Sequence, residues 1–150
     1  MNDDARMDAL RQLAVDFRHA IEAARAEKAA GALPYFPDGA CRMTSRLFAQ
    51  HLARHHHGGF RNARIVSGVL PGSESAARHY WVELGDTLID LTADPFGQPA
   101  VVVGSPTAFH RSLTERLDQD AAELLASLTD EETARLTRQL SAIESRLRRF

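Results

Sequence analysis

The chain has 150 residues, of which 44% are hydrophobic and 25% are charged, and its formal net charge is −2. These values are typical of a globular protein of one domain, and the small negative charge gives no electrostatic argument for nucleic-acid binding. The single cysteine excludes an internal disulfide and a multi-cysteine zinc site. No apolar run approaches the roughly 20 residues of a membrane span, and the acidic start at residues 1–4 differs from a signal peptide. We therefore expect a cytoplasmic protein with a free thiol and without membrane association, metal or cofactor.

A first helix is predicted over residues 3–29. Asp3 or Asp4 would provide its N-cap, and Gly31 would end it. Its apolar positions recur at helical spacing and trace one stripe, which consists of Met7, Leu10, Leu13, Ala14, Phe17, Ile21 and Ala24. Residues 33–37 include two prolines, and since residues before proline avoid the helical region, we predict an extended segment that could form one wall of a cleft.

The only cysteine, Cys41, lies where a loop turns into a second predicted helix. Residues 37–39 are turn formers, and neither glycine nor proline follows Gly39 until Gly58. Apolar residues recur at roughly helical spacing in between, so we predict a helix from about Gly39 to about His56. Cys41 falls in its first turn, where unpaired N–H groups and the positive end of the helix dipole favour an anion. The thiolate is the attacking form of cysteine, and the same N–H groups can stabilise an oxyanion on a substrate.

Plainer interpretations also apply to this helix. Cys41 could be a small buried side chain that only packs, as most free cysteines do. The adjacent residues His55, His56 and His57 invite a metal site. Adjacent helical residues point in different directions, however, and cannot chelate as a set. Histidines near a helix C-terminus are favourable there in any case, so we predict no metal site from these three.

Four strands are predicted where aromatic and β-branched residues cluster between turn formers. They cover residues 63–70, 78–84, 87–92 and 101–103. Gly85-Asp86 would join the second and third strands in a two-residue hairpin. That loop length pairs Leu84 with Thr87, Glu83 with Leu88, Val82 with Ile89, and Trp81 with Asp90.

The hairpin register places a histidine and a carboxylate on one face of the sheet. His79 and Trp81 are two residues apart and point to the same face, and Asp90, opposite Trp81, points there too. His79 and Asp90 are then diagonal neighbours, roughly 7 Å apart at the backbone, within reach of a hydrogen bond. A four-residue loop would preserve this arrangement, whereas a three-residue loop would turn Asp90 to the other face. Trp81 could shield the hydrogen bond from water or belong to the core.

Cys41, His79 and Asp90 form a complete set for nucleophilic catalysis. A carboxylate on one imidazole nitrogen fixes the tautomer, so the other nitrogen can take the proton of a nucleophile. A carboxylate within an apolar strand also needs a partner, which favours Asp90 as the acid. Asp94 is the rival acid, but it precedes a proline in a loop and is better suited to cap a turn. Glu83 shares the face of His79 and could contact substrate or lie at the rim.

The C-terminal third is predicted to be helical, over about residues 112–149. Apolar residues form two stripes, one with Leu113, Leu117, Ala121, Leu124 and Leu125, and one with Leu136, Leu140, Ile143 and Leu147. Residues 127–130 interrupt the pattern, and Thr129 with Glu132 forms a capping box. The resulting helical hairpin could pack on the sheet or bind a protein partner.

Three features together resemble the transglutaminase-like branch of the papain-type cysteine enzymes: a cysteine at a helix start, the run His79-Tyr80-Trp81-Val82-Glu83 and the strand end Asp90-Leu91-Thr92. The resemblance covers about residues 36–98. It implies an α+β, papain-like (transglutaminase-like) fold in which the Cys41 helix packs on a small antiparallel sheet. An N-terminal helix and the C-terminal helical hairpin would surround a core of about residues 36–104, in one domain over 1–150.

The resemblance also implies a chemistry and a set of site residues. The chemistry is acyl transfer through a thioester: hydrolysis, deamidation or transfer to an amine, by a triad of Cys41, His79 and Asp90. The Cys-Trp pair of many such enzymes is absent, because Arg42 follows the cysteine. Backbone N–H groups near the cysteine, assisted by Tyr35, would form the oxyanion hole. The candidate substrate-binding residues are Tyr35, Trp81 and Glu83.

The sequence thus predicts a cysteine-dependent enzyme that acts on a protein, peptide or other amide substrate. Two alternatives stay open. One is a non-catalytic binding module on the same fold, and the other is an effector that deamidates glutamines of a host protein.

Overall fold

The computed structural model describes residues 2–29, 31–55 and 62–147. Within these ranges five helices are present: α1 (Asp3–Ala26), α2 (Cys41–His55), α3 (Ala108–Ser112), α4 (Ala121–Ala126) and α5 (Asp130–Leu147). Five strands form one antiparallel sheet: β1 (Ala63–Val69), β2 (Arg78–Leu84), β3 (Thr87–Asp90), β4 (Val102–Gly104) and β5 (Thr114–Asp120). The strand order is β4-β3-β2-β1-β5. The α+β class predicted from the sequence is therefore confirmed.

The first helix begins at a different cap from the one predicted. The side chain of Asn2, rather than of Asp3 or Asp4, accepts a hydrogen bond from the N–H of Ala5 at 2.8 Å. An Asn at this position satisfies one of the donors that lack an intrahelical partner. The helix also ends earlier than residue 29, since Lys28 has a φ of +53°, which is outside the helical region.

The second helix begins at Cys41 itself, two residues after the predicted start. The hydroxyl of Ser45 donates to the carbonyl oxygen of Cys41 at 2.7 Å, and the N–H of Thr44 donates to the carbonyl of Ala40 at 2.9 Å. The predicted end of the helix at about His56 lies outside the described residues, as do His57 and Gly58. The cysteine therefore occupies the first position of a helix, as the turn formers before it indicated.

The β2–β3 hairpin has the register predicted from its two-residue loop. Leu84 pairs with Thr87, Glu83 with Leu88, and Val82 with Ile89. Gly85 has a φ of +58°, a conformation that glycine adopts without strain in such a turn. His79 and Asp90 consequently project from the same side of the hairpin.

The sheet has an apolar cluster on each face, because alternate residues of a strand point in opposite directions. Helices α1, α2 and α5 contribute to the main core, whose largest fully buried members include Phe17, Ile21, Phe36, Leu47, Phe48, Leu52, Ile89, Leu140 and Ile143. A smaller cluster contains Val66, Trp81, Leu88 and Leu113. Trp81 is thus part of an apolar cluster and also lies beside His79.

The prediction of a helical hairpin from Ser112 onward is wrong for its first part. Residues 114–120 form β5, which pairs with β1 and lies at the edge of the sheet. Leu117, which was placed on a helical stripe, is 53% exposed. The sheet therefore extends beyond the predicted core of residues 36–104. Pairing with a distant strand overrides a local spacing of leucines that also suits a helix.

The β1–β5 pairing is irregular at one point. The register shifts between Ser67 and Val69, and Glu115 has a φ of +50°. A Cβ atom placed on Gly68 would lie only 2.6 Å from the Cβ of Leu113. The glycine is thus required by the close approach of the chain that enters β5.

The remaining C-terminal helices follow the prediction more closely. The break at residues 127–130 separates α4 from α5. The N–H of Thr129 donates to Glu132 Oε1 and the N–H of Glu132 donates to Thr129 Oγ1, each at 3.1 Å, so the capping box is confirmed. Among the described residues, no helix has the length and apolar character that crossing a membrane requires.

Candidate active site

The cysteine lies at the start of α2, next to the first residue of β2. Its sulfur is 3.9 Å from the carbonyl oxygen of Arg78, and the residue is half-buried and free of any disulfide. The N–H of Thr44 makes an intrahelical bond to the carbonyl of Ala40. The N–H groups before it in the chain belong to the first turn of the helix, where backbone donors have no intrahelical partner. The thiol therefore combines partial exposure with backbone donors in the same turn.

The predicted histidine and acid are brought together. His79 Nε2 lies 2.6 Å from Asp90 Oδ2, and both side chains are completely buried. The hydrogen bond joins β2 to β3 on the face that the register argument specified. A carboxylate that accepts from Nε2 requires a proton on that nitrogen. Nδ1 then carries the lone pair of the neutral ring or the second proton of the imidazolium.

The other ring nitrogen of His79, Nδ1, is not engaged by the carboxylate. His79 Nδ1 makes no close hydrogen bond with any atom of the described residues. Burial lowers the pKa of His79, but hydrogen bonds with Asp90 and Cys41 and the negative charges of both groups outweigh it and raise the pKa to about 9. The thiol therefore favours the imidazolium, although no hydrogen bond joins Nδ1 to the sulfur. Catalytic hydrogen bonds are often long or poorly aligned before substrate binds.

The acid is held as a carboxylate by four donors. Burial raises the pKa of Asp90, but hydrogen bonds from His110 and His79, the charge on His79 and the N–H of Thr92 lower it to about 2. Oδ2 accepts from both imidazoles, at 2.8 and 2.6 Å. Oδ1 accepts from the N–H and the hydroxyl of Thr92, at 2.9 and 3.4 Å. Each oxygen of the Asp90 carboxylate thus accepts two hydrogen bonds, which fix its orientation.

His110 is a site residue that the sequence analysis missed. It lies on the short helix α3, buried, with Nε2 on Asp90 and Nδ1 2.7 Å from the hydroxyl of Thr107. Because the carboxylate only accepts, Nε2 donates to it and Nδ1 accepts from the threonine. The one local signal was the Thr107-x-x-His110 spacing, in which the threonine caps the helix that carries the histidine. That signal gives no indication of which strand the histidine contacts.

Aromatic rings surround the imidazole of His79. Phe96 and Phe109 stack on each other with ring centroids 5.5 Å apart, and they lie 5.0 and 5.8 Å from the ring of His79. Trp81 lies 5.9 Å from His79 and 4.9 Å from His110. These rings exclude water from the histidine–aspartate bond, which strengthens it.

The three candidate substrate-binding residues have different surroundings. Trp81 Nε1 donates to Glu83 Oε2 at 2.8 Å, and Arg116 forms an ion pair with Glu83 at 3.0 Å. Both residues are therefore engaged within the protein beside the triad. Tyr35 is 78% exposed. The segment that carries it folds into turns instead of being extended as predicted, since the N–H of Phe36 donates to the carbonyl of Leu33 and both apolar side chains are buried.

The rival acid has a different partner. Asp94 forms a two-pronged ion pair with Arg18 of α1, with both N–O distances at 2.8 Å. The same guanidinium donates to the carbonyl oxygens of Leu91 and Ala100. Asp94 thus fixes the loop that follows β3, while Asp90 alone of the two acids contacts His79.

Two groups of described side chains have donor atoms close enough to hold a metal ion. In the first, His79, Asp90 and His110 present their donors within 4.8 Å of one another, but all three side chains are at most 1% exposed, so an ion would have no access from solvent. In the second, His51 and His55 of α2 contact Glu144 of α5. Separately, a depression of about 900 Å³ lies at the C-terminal end of α1 and is lined by none of the triad residues.

Comparisons of this chain with protein-family models, curated proteins and solved structures give no match.

Proposed function

We propose that this chain is a cysteine-dependent acyl-transfer or amide-hydrolysing enzyme of the transglutaminase-like type, with Cys41 as nucleophile, His79 as base and acid, and Asp90 as the group that orients the histidine. The single observation that carries the proposal is the polarity of the imidazole. His79 donates from Nε2 to a buried carboxylate at 2.6 Å, and its Nδ1 has no hydrogen-bond partner among the described residues. The nearby Cys41 helps to raise the pKa of this imidazole, so the thiol is the group that Nδ1 can serve.

The proposed reaction begins with the thiolate of Cys41 paired with the imidazolium of His79. The sulfur attacks the carbonyl carbon of an amide, and the oxyanion that forms is stabilised by N–H groups in the first turn of α2. His79 then gives the proton on Nδ1 to the leaving nitrogen, so that the C–N bond breaks and a thioester remains. Neutral His79 next takes a proton from water or an amine, which attacks the thioester and releases the thiolate.

The supporting residues act on the orientation and charge of this pair. Asp90 holds Nε2–H and stabilises the imidazolium without accepting its proton, as its low pKa requires. Trp81 and Glu83, buried beside the pair and bonded to each other and to Arg116, would support the walls of the site. Tyr35, exposed beside the start of α2 in sequence, would approach the substrate carbonyl.

The first test measures the rate at which iodoacetamide alkylates Cys41 at pH 7. An isolated thiol is only a few per cent ionised at this pH, whereas a thiolate–imidazolium pair is almost fully ionised, so a His79→Ala variant should react roughly tenfold more slowly. His19→Ala, a change on the outer face of α1, is the matched control and should react at the wild-type rate. Equal rates in wild type and His79→Ala would refute the pair and favour the binding module.

A second test asks for the covalent intermediate. Incubation with a small activated ester should add one acyl group to Cys41, detectable by intact mass, and hydroxylamine should remove it. Cys41→Ser should show no thioester. Absence of acylation in a protein whose thiol nonetheless reacts fast with iodoacetamide would separate a reactive binding module from an enzyme.

A further inference from the structure

A second cluster of polar side chains lies at the C-terminal end of α2, the opposite end from Cys41. His51 and His55 are one helical turn apart, so their rings share a face, with centroids 5.0 Å apart. Glu144 of α5 reaches both: its Oε2 is 2.6 Å from His51 Nδ1 and 2.7 Å from His55 Nε2. The cluster takes no part in the chemistry proposed for the thiol, because α2 separates the two ends by about 20 Å.

We propose that His51, His55 and Glu144 form a binding site for a divalent transition-metal ion of the zinc type. Two imidazole nitrogens and one carboxylate oxygen are a donor set that zinc prefers, with water in the fourth position. The three donor atoms lie within 4.8 Å of one another. In a tetrahedral zinc site neighbouring donor atoms are about 3.3 Å apart. The carboxylate oxygen of Glu144 must therefore move away from each imidazole nitrogen by less than about 1 Å to admit the ion.

Burial and access both suit a bound ion. The side chains of His51 and Glu144 are 6% and 15% exposed, whereas that of His55 is 48% exposed. The inner ligands are therefore held by packing, and Phe17 lies against the His51 ring with centroids 5.2 Å apart. Such support fixes the direction of a metal-binding imidazole. The exposed ring leaves a route for the ion and room for its water.

Metal binding determines which ring nitrogens of the two histidines keep a proton. Each imidazole must present a lone pair to the ion, so His51 keeps its proton on Nε2 and His55 keeps its proton on Nδ1, and any displaced proton goes to solvent. Among the residues that the structure describes, one neighbouring cation opposes binding: Arg54 Nη1 lies 3.8 Å from Glu144 Oε1. The Arg54 side chain is 46% exposed, so the guanidinium can move into solvent when an ion takes the other carboxylate oxygen.

The test is a competition between the protein and a chromophoric chelator for Zn²⁺ at neutral pH, in a Cys41→Ser background that removes the only thiol. We expect one ion per chain. His55→Ala and Glu144→Gln should each weaken binding at least about 100-fold, since even the loss of a group that only supports a ligand costs 10- to 100-fold. Circular dichroism establishes that each variant is folded.

Two control variants make the result specific. Arg54→Gln removes a neighbour of Glu144 that is not a ligand, so binding should stay equal or become tighter. Replacing both His56 and His57 with Ala tests the adjoining histidines, which should not be required. In the same proteins, Zn²⁺ should raise the melting temperature of the background and of Arg54→Gln, because an ion bound only to the folded state stabilises it; His55→Ala should show no such rise.

Three outcomes would overturn the proposal. One is no binding of micromolar Zn²⁺ in the background protein. Another is unchanged affinity in both His55→Ala and Glu144→Gln, which would assign the ion to other donors such as the buried His79 group. The third is loss of binding in the variant that lacks His56 and His57 with the proposed ligands intact.

Discussion

Replacing Asp90 with Asn should lower the pKa of His79 by more than two units, from about 9 to about 6.5 or below. The change keeps the size of the side chain and removes its negative charge. In the wild type, a pKa of about 9 in place of 6.5 corresponds to about 3 kcal/mol in favour of the imidazolium. Without the carboxylate, burial still lowers the pKa, and only the contact with Cys41 remains to raise it.

The measurement is an NMR titration of the imidazole C–H signals between pH 5 and 10, with His79 assigned from its own Ala variant. Asp94→Asn is the matched control, since it removes a nearby carboxylate that contacts Arg18 instead of the histidine. There the pKa should stay at about 9. A pKa near 6.5 in the wild type, or an unchanged value in Asp90→Asn, would contradict the ion-pair argument.

The same pKa values set the sign of the pH dependence of stability. The pKa of His79 is raised on folding, so its contribution is fully present below pH 6.5 and is lost as the pH rises through about 9. The pKa of Asp90 is lowered on folding, so its contribution is present above pH 3.8 and is lost as the pH falls through about 2. Thermal melts of the wild type should therefore decline on the alkaline side more than those of His79→Ala.

Three further changes test other parts of the site and fold. His110→Ala should slow iodoacetamide labelling of the cysteine a few-fold and less than His79→Ala does, because it removes one donor from the shared carboxylate; an equal rate would assign His110 a packing role only. Gly68→Ala should destabilise the protein by about 1–3 kcal/mol in urea unfolding, since its Cβ would meet that of Leu113 at 2.6 Å; an unchanged midpoint would show that β5 shifts freely. Arg18→Met should lower the free energy of unfolding by about 2–3 kcal/mol in the same assay, because it leaves Asp94 and two carbonyl groups without their donor. A decrease of less than about 0.5 kcal/mol would show that these contacts contribute little to stability.

The site was predictable where local rules determine geometry. A two-residue turn at Gly85-Asp86 fixes the strand register, and the register fixes which residues share a face, so the contact between His79 and Asp90 followed from counting. The turn formers before Cys41 likewise located the helix start to within two residues. These inferences needed only residues close in sequence.

The unpredicted features depend on contacts between distant residues. The strand at residues 114–120 is exposed along almost its whole length, so it lacks the alternation that marks a strand, and only its pairing with β1 defines it. His110 meets Asp90 from 20 residues away through a five-residue helix. The cluster of His51, His55 and Glu144 is not apparent from the sequence, because the histidines that converge on Glu144 are one helical turn apart and Glu144 lies on a distant helix.

The position of Arg18 has a consequence for biosynthesis. This buried guanidinium belongs to α1, yet its acceptors at Leu91, Asp94 and Ala100 follow 73 to 82 residues later in the chain. Until those residues are translated, the guanidinium has only Glu22 of its own helix as a charge partner among the described residues. Nascent chains that end before Ala100 should therefore lack the contacts between Arg18 and the loop after β3, and this loop is fixed only once both ends of the segment have been translated.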